Sequence, residues 1–492
     1  MRLFLKGDKE KYMTQEKQAA LAAIEAKKPL VDRVCREVWG FAELSLQEER
    51  SAALYCALLE QEGFRVERGV CGIPTAFAAS FGQGRPVIAL LAEYDALSGL
   101  SQEAGAVEHR PLVNGGCGHG CGHNLLGAGA FAAALGVKAW LEEHPASGTV
   151  VLYGCPGEEG GAAKAFMARD GLWYGMDAAL TWHPEDCNEV VTGSTNACIQ
   201  VQYKFHGVAA HAAGDPDRGR SALDAVELMN IGVQFLREHM SDRARVHYAI
   251  TDAGGRSPNV VQAEASVLYM VRSDKVAEAV ELQGRVDRIA EGAALMTDTT
   301  VERKFIDGLA DTVTNHALER VLYTNFAALG VPHYTEKELD FAEKLSKTYT
   351  GADKLPGLGA AADAAFAREQ VQLLRAGKGA MNDFLLPLCQ AEVFRPGSTD
   401  VGDVSWECPT AQIHVAAWPN GCPGHSWQNV SCGGTELGRK AALHAGKVLC
   451  ASVIDLFTRP ELLREAREEF QARTAAGFVS PIPADALPVV PD

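Results

Sequence analysis

The sequence predicts an α/β protein built on a mixed sheet, with a ferredoxin-like α+β unit inserted into it. Two patterns and one motif carry this reading. Apolar strand-like runs alternate with helical stretches up to about residue 184, the mark of a parallel or mixed sheet with helices on its faces. From about residue 196 the order becomes β-α-β-β-α-β, the ferredoxin-like arrangement. Between the early strands lies Gly115-Gly-Cys-Gly-His-Gly-Cys-Gly-His-Asn124, with Cys117, His119, Cys121 and His123 inside seven residues.

A chain of 492 residues is too long for one ordinary core. The expected division is a large domain in two parts, 1–195 and 308–460, an inserted unit at 196–307, and an extended, Pro-containing tail at 461–492. The net charge of −17 argues against nucleic acid or an anionic membrane as partner, and no uninterrupted apolar run of transmembrane length is read. The thirteen cysteines are odd in number and scattered, and the N-terminal residues lack a signal-peptide pattern. Reduced thiols in a cytoplasmic protein are expected.

Taken in order, residues 15–64 read as two helices, because Leu21, Val31, Val34 and Val38, then Ala52, Leu54 and Leu58, recur at helical spacing. Runs at 75–81 and 86–91 read as strands, the second leading into Glu93-Tyr-Asp95. The Gly/Cys/His motif opens a helix reaching about residue 144, with Asn124 as its N-cap. A strand at 148–154 precedes Glu158-Glu159 and a helix from about 162; another at 177–182 ends at His183. In the inserted unit, Ile199, Val201, Tyr203 and Phe205 alternate with polar residues, a half-exposed strand with one face free to pair. A helix (221–239), strands (246–251 and 259–271), a helix (276–294) and a strand (299–305) complete it. Helices are expected at 313–329 and 434–457, a strand at 411–418, and loops at 351–364, 397–406 and 421–427.

Glycines let a backbone approach an ion closely. A thiol just before a helix N-terminus is favoured as thiolate, and thiolate with imidazole suits zinc, or manganese when carboxylates join. Asp95, Glu158-Glu159 and His183 each follow a strand, so they should meet on the rim where parallel strands end. Of two adjacent glutamates beside a metal, one can coordinate while the other takes a proton from bound water. By itself, the same pair also suits the acid-favouring first turn of a helix.

Glu93-Tyr-Asp-Ala-Leu97, Cys121-Gly-His123, Gly157-Glu-Glu-Gly160, Trp182-His-Pro184, Ala209-Ala-His-Ala212, Ser257-Pro-Asn-Val260 and Gly424-His-Ser426 occur in that order. In these motifs the chain resembles the di-metal amidohydrolases that include aminoacylase, carboxypeptidase G and the auxin-conjugate hydrolases, over about residues 15–460. The resemblance implies two divalent ions, zinc or manganese, held by Cys121, His123, Glu159, His183 and His425. It implies Glu158 as general base and later acid, Asp95 as a supporting carboxylate, and the inserted unit as lid and dimerisation domain. His211 of a neighbouring subunit's lid would stabilise the oxyanion, and Asn259 would hold the amino-acid end of the substrate. The implied reaction is hydrolysis of an N-acyl or N-aroyl amino acid, alternatively of a dipeptide, by a homodimer or with a sister subunit. A non-catalytic partner subunit is the rival, but such a chain has no reason to keep both Glu158 and Glu159. Two departures stand out. Asn124 replaces an aspartate, so another group must orient the histidine, and Glu93 stands where part of the family has a ligand histidine. Cys117 and His119 are extra and read as part of the loop, with a second metal site as the alternative.

Overall fold

The computed structural model describes residues 12–144, 148–350, 379–390 and 392–490; the loop expected at 351–364 lies outside them. Three helices, not two, cover residues 15–64: α1 (Gln15–Ala26), α2 (Lys28–Phe41) and α3 (Glu49–Gln61). Lys28-Pro29 starts α2 one residue after α1 stops, because proline suits the first helical turn and not a helix interior. Then come β1 (Arg65–Arg68), β2 (Phe77–Gln83), β3 (Val87–Ala92), α4 (His123–Glu143), β4 (Gly148–Gly154), α5 (Ala163–Arg169), β5 (Ala178–Glu185) and β6 (Glu189–Val190). After a second set of strands the chain returns through α8 (His316–Leu329), α9 (Glu336–Ser346), α10 (Val401–Glu407), β11 (Thr410–Ala416), α11 (Trp427–Gly433), α12 (Glu436–Thr458) and α13 (Pro460–Arg473).

The large sheet runs β1-β2-β4-β3-β5-β11-β6. Its centre, β4-β3-β5-β11, is parallel, and the flanking pairs are antiparallel. Side chains alternate across it: Ile88, Leu90 and Ala92 face the core under α4, while Ala89 and Leu91 face the one under α5. The second set is β7 (Ala197–His206), α6 (Ala222–Leu236), β8 (Arg245–Asp252), β9 (Glu264–Ser273), α7 (Val276–Thr297) and β10 (Thr300–Leu309). Its antiparallel sheet runs β10-β7-β9-β8. Ile199, Val201, Tyr203 and Phe205 bury one face of it against α6 and α7. The first strand is therefore interior, and β8 is at an edge.

Several expectations are corrected. Asn124 is not a cap: α4 begins at His123 after Gly122, which has φ of 75°, and the Asn124 amide is buried, donating to Cys35 O and Gly433 O. The loop at 397–406 contains the start of α10, which follows directly on Asp400. The tail is helical at its start, since α13 covers Pro460–Arg473, and irregular only beyond. Helices α4 and α12 are long and apolar enough to cross a membrane, but 89% and 83% of their apolar windows are buried inside the protein, packed on each other. Glycines permit that contact. A Cβ on Gly446 would lie 2.7 Å from Gly129 O and from the Ala132 side chain. Gly446→Val should therefore cost about 1–3 kcal/mol or more by overpacking. Urea unfolding measures it, and a midpoint equal to that of the parent would contradict this packing.

Candidate active site

The carboxyl ends of the parallel strands form the rim expected from their topology. β3 ends at Ala92, followed by Glu93 and Asp95; β4 ends at Gly154, before Glu158 and Glu159; His183 lies within β5, near its end; β11 leads towards His425. The glycine at 122 brings the fifth segment in. A Cβ there would sit 2.8 Å from Pro184 and 3.0 Å from Trp418, so only glycine lets Cys121 and His123 approach the end of β5 this closely.

The assembled geometry is compact. Potential ligand atoms of Cys121, His123 and His183 lie within 4.8 Å of one another, as do those of Cys121, Glu159 and His425, and those of Glu93, His123 and Glu158. Cys121 Sγ is 3.3 Å from His183 Nε2, and His425 Nε2 is 3.4 Å from Glu159 Oε1. His183 Nδ1 donates to Pro184 O at 2.7 Å, which leaves Nε2 as the free lone pair. His123 Nδ1 donates to Asp95 Oδ1 at 2.7 Å. Asp95 thus takes over the orienting role that Asn124 cannot fill. The same carboxylate accepts from Ser45 Oγ (2.8 Å) and from the Glu159 N–H (2.9 Å). His425 holds a left-handed backbone, φ 51°, an unfavourable state for a non-glycine residue and one that concentrates at functional sites.

Charge in this cluster is set by burial and by neighbours. Burial, then the charges of Glu93, Asp400 and Glu159, pushes Glu158 well above the usual carboxylate range. Burial opposes a charged His123, but Asp95 and then Cys121 outweigh it and hold the ring above its ordinary value. Burial, then His123 and His414, pushes His183 down. The helix end expected to favour a Cys121 thiolate is outweighed: burial, then Glu159, pushes this thiol up. A cation among these groups reverses that balance. The donor set fits divalent metal: His123 Nε2 and Glu159 Oε1 are buried without a hydrogen-bond partner, and thiolate, imidazole and carboxylate together suit zinc or manganese.

A cleft of about 330 Å³ opens beside the cluster. Cys121, Glu158, Glu159, His183 and His425 line it, together with Arg395, His414 and Thr399 among others. Arg395 pairs there with buried Glu189, which also accepts from His414 Nδ1. His211 and Asn259 do not line this cleft. They lie together on the second sheet's unit, where His211 bridges Val260 and Ala212 N donates to Asn259 O. His211 Nδ1 accepts from the Gly214 N–H at 2.9 Å, which leaves Nε2 as the donor nitrogen of the ring. His119 is buried and donates to Val38 O; burial takes it down to about 4. Among the described residues, neither it nor Cys117 belongs to a metal-capable group.

Sequence reading missed the supports. Lys164, on the first turn of α5, is fully buried and pairs with Glu93 Oε1 (2.8 Å) and Asp400 Oδ1 (2.5 Å). Glu93 Oε2 is in turn 3.3 Å from His123 Nε2. A lysine in a helix otherwise made largely of Ala, Phe and Met was the available signal.

A rim of strand ends bearing adjacent glutamates, a thiol and imidazoles, with a second α+β unit attached, defines a two-part α/β protein whose cleft can hold divalent metal. Residues 89–383 match peptidase family M20/M25/M40. The chain belongs to that family. It is 45% identical over 467 residues to one of the subunits of p-aminobenzoyl-glutamate hydrolase from Escherichia coli (strain K12), covering 95% of this chain and 97% of that protein. It is 26% identical to the Xaa-Arg dipeptidase of Mus musculus, over 93% of this chain and 92% of that one. In structure it is similar to the YXEP protein of Bacillus subtilis, a dinuclear metal binding peptidase from family M20: TM-score 0.53, 18% identity, 88% of this chain and 99% of that one.

The buried Lys164 ion network makes a prediction. Lys164→Met leaves Glu93 and Asp400 without their counter-charge and should cost about 3–5 kcal/mol of stability in urea. Adding Asp400→Asn should recover part of it. A loss below about 1 kcal/mol would show that the network holds nothing.

Proposed function

We propose that this chain hydrolyses the amide between an acyl or aroyl group and an amino acid, with p-aminobenzoyl-glutamate as the first substrate to test. The observation that carries this reading is the pair Glu158-Glu159, adjacent in sequence and both lining the cleft beside Cys121, His183 and His425. The Escherichia coli relative supports the choice of substrate. The mouse relative makes a dipeptide the second choice.

Cys121, His123, Glu159, His183 and His425 would hold two divalent ions, zinc or manganese. Such ions would supply a bound water of lowered pKa and polarise the scissile carbonyl. Asp95 keeps the His123 ring turned so that Nε2 faces the cluster. Glu158 accepts the proton of the attacking water and afterwards delivers it to the leaving amine. His211 donates Nε2–H to the oxyanion from the second subunit of a dimer, and Asn259, beside it, grips the amino-acid end. In this reading, residues 196–307 are the lid and the dimerisation domain. The open edge at β8 and the exposed Ile231 and Phe235 of α6 support this role. Because the Escherichia coli relative is one subunit of a hydrolase, assembly with a sister chain is the alternative to a homodimer. All thirteen cysteines are free, in keeping with a cytoplasmic location.

Glu158→Gln should keep its bound metal and lose about 10²–10⁴-fold in kcat, whereas Glu159→Gln should lose metal first. Metal analysis of each variant, loaded with Mn²⁺ and desalted, decides it; metal lost from Glu158→Gln and kept by Glu159→Gln reverses the roles. If His211 acts across the dimer, inactive Glu158→Gln chains mixed with inactive His211→Ala chains should regain part of the activity. No recovery in heterodimers that demonstrably form would place His211 in its own subunit's site or outside the reaction.

A further inference from the structure

The segment joining α2 to α3 carries two non-glycine residues in the left-handed region, Ala42 (φ 45°) and Leu46 (φ 63°). Strain of this kind persists only where surrounding contacts over-determine it. Here the contacts lead to the site. The Ala96 N–H donates to Glu43 O at 2.8 Å, and Leu44 bridges Ala96, clamping the segment onto the turn that carries Asp95. Ser45 Oγ donates to Asp95 Oδ2 at 2.8 Å. The Leu46 side chain wedges against the glycines at both ends of the Glu158-Glu159 loop, where a Cβ on Gly157 or Gly161 would come within 2.9 or 2.7 Å of it. Glu48, fully buried, accepts at one oxygen from the Leu46 N–H (2.9 Å) and the Gly157 N–H (2.8 Å). The Glu43 carboxylate ties the far end down by accepting from the N–H groups of Arg50 and Ser51.

We propose that residues 43–48 form a clasp that positions the Glu158-Glu159 loop against Asp95, with Ser45 and Glu48 as positioning residues of the reaction. This rests on the assignment of Glu158 as base and Glu159 as ligand. The loop is made of turns, and its first N–H is held by Glu48 and its third by Asp95. Without Glu48 the base loses the grip one residue before it, and a misplacement of about 1 Å is worth about 10²-fold in rate. Glu48 acts through one acceptor oxygen: the N–H groups of Leu46 and Gly157 converge on Oε1, and the carbonyl of a glutamine offers the same acceptor. Burial, then the charge of Asp95, moves its carboxyl up to about 8.

The experiment compares Glu48→Ala, Glu48→Gln and Ser45→Ala with the parent, measuring kcat and KM on p-aminobenzoyl-glutamate and the Kd for Mn²⁺. Glu48→Ala should lower kcat by about 10-fold or more with KM within about 3-fold, and Glu48→Gln should restore most of the loss. Ser45→Ala should weaken Mn²⁺ by about 3–10-fold, because Asp95 then holds His123 less firmly. The clasp is overturned if Glu48→Ala retains the parent kcat, or if glutamine is as damaging as alanine. It is also overturned if Glu48→Ala does not fold and Ser45→Ala binds Mn²⁺ like the parent. A parent that hydrolyses no amide, while Ser45→Ala still weakens Mn²⁺, removes the proposed reaction and keeps the clasp.

Discussion

The buried carboxylate of Asp95 joins the segment after α2, the N-terminus of α4 and the loop after β4. Its oxygens accept from Ser45 Oγ, His123 Nδ1 and the Glu159 N–H. Burial opposes its charge, and the His123 ring, followed by these donors, more than offsets that and holds it below the ordinary carboxylate range. A fully satisfied buried carboxylate is strongly directional, because an unpaired one is too costly to tolerate. The relative placement of histidine and glutamates therefore follows from one side chain at the end of β3. Glycine-rich loops are thereby tied to one another at these hydrogen bonds.

Around that centre the protein buries far more acid than base. Glu93, Glu158, Glu159 and Asp400 crowd together, and Lys164 is the buried cation that answers Glu93 and Asp400. Burial lifts Asp400 to about 6 even with Lys164 opposing it. Such a cluster is a poor way to stabilise a fold. It is a good way to prepare a cavity for cations, whose charge the excess carboxylates match. Stability comes from elsewhere, from the apolar contact of α4 and α12 and from the two faces of the parallel strands.

Much of this was legible in the sequence, because the signals are local. The period of apolar residues marks strand and helix, glycines and cysteines at fixed offsets mark the motif, and glutamates after a strand mark the rim. The misreadings were local too. Asn124 looks like a cap until its amide is seen satisfied inside the core, and the polar stretch at 397–406 hides a helix because Asp403 and Ser405 are buried polar residues. The prolines at 481, 483, 488 and 491 set the reading of the whole tail as extended, but α13 precedes them and buries only Ala466.

By itself, then, the sequence determined the fold class, the order of the main strands and the residue types gathered at the strand ends, since each depends on neighbours a few positions away. Tertiary structure alone decided which acid orients His123, which lysine answers the buried carboxylates and which segment grips the Glu158-Glu159 loop. Ser45 and Glu48 lie about a hundred residues before that loop, and Lys164 and Asp400 are separated by more than two hundred. No periodicity spans such distances. Only the packing of the sheet brings these groups within hydrogen-bond range, and there the cost of leaving a buried polar atom unpaired selects the partners.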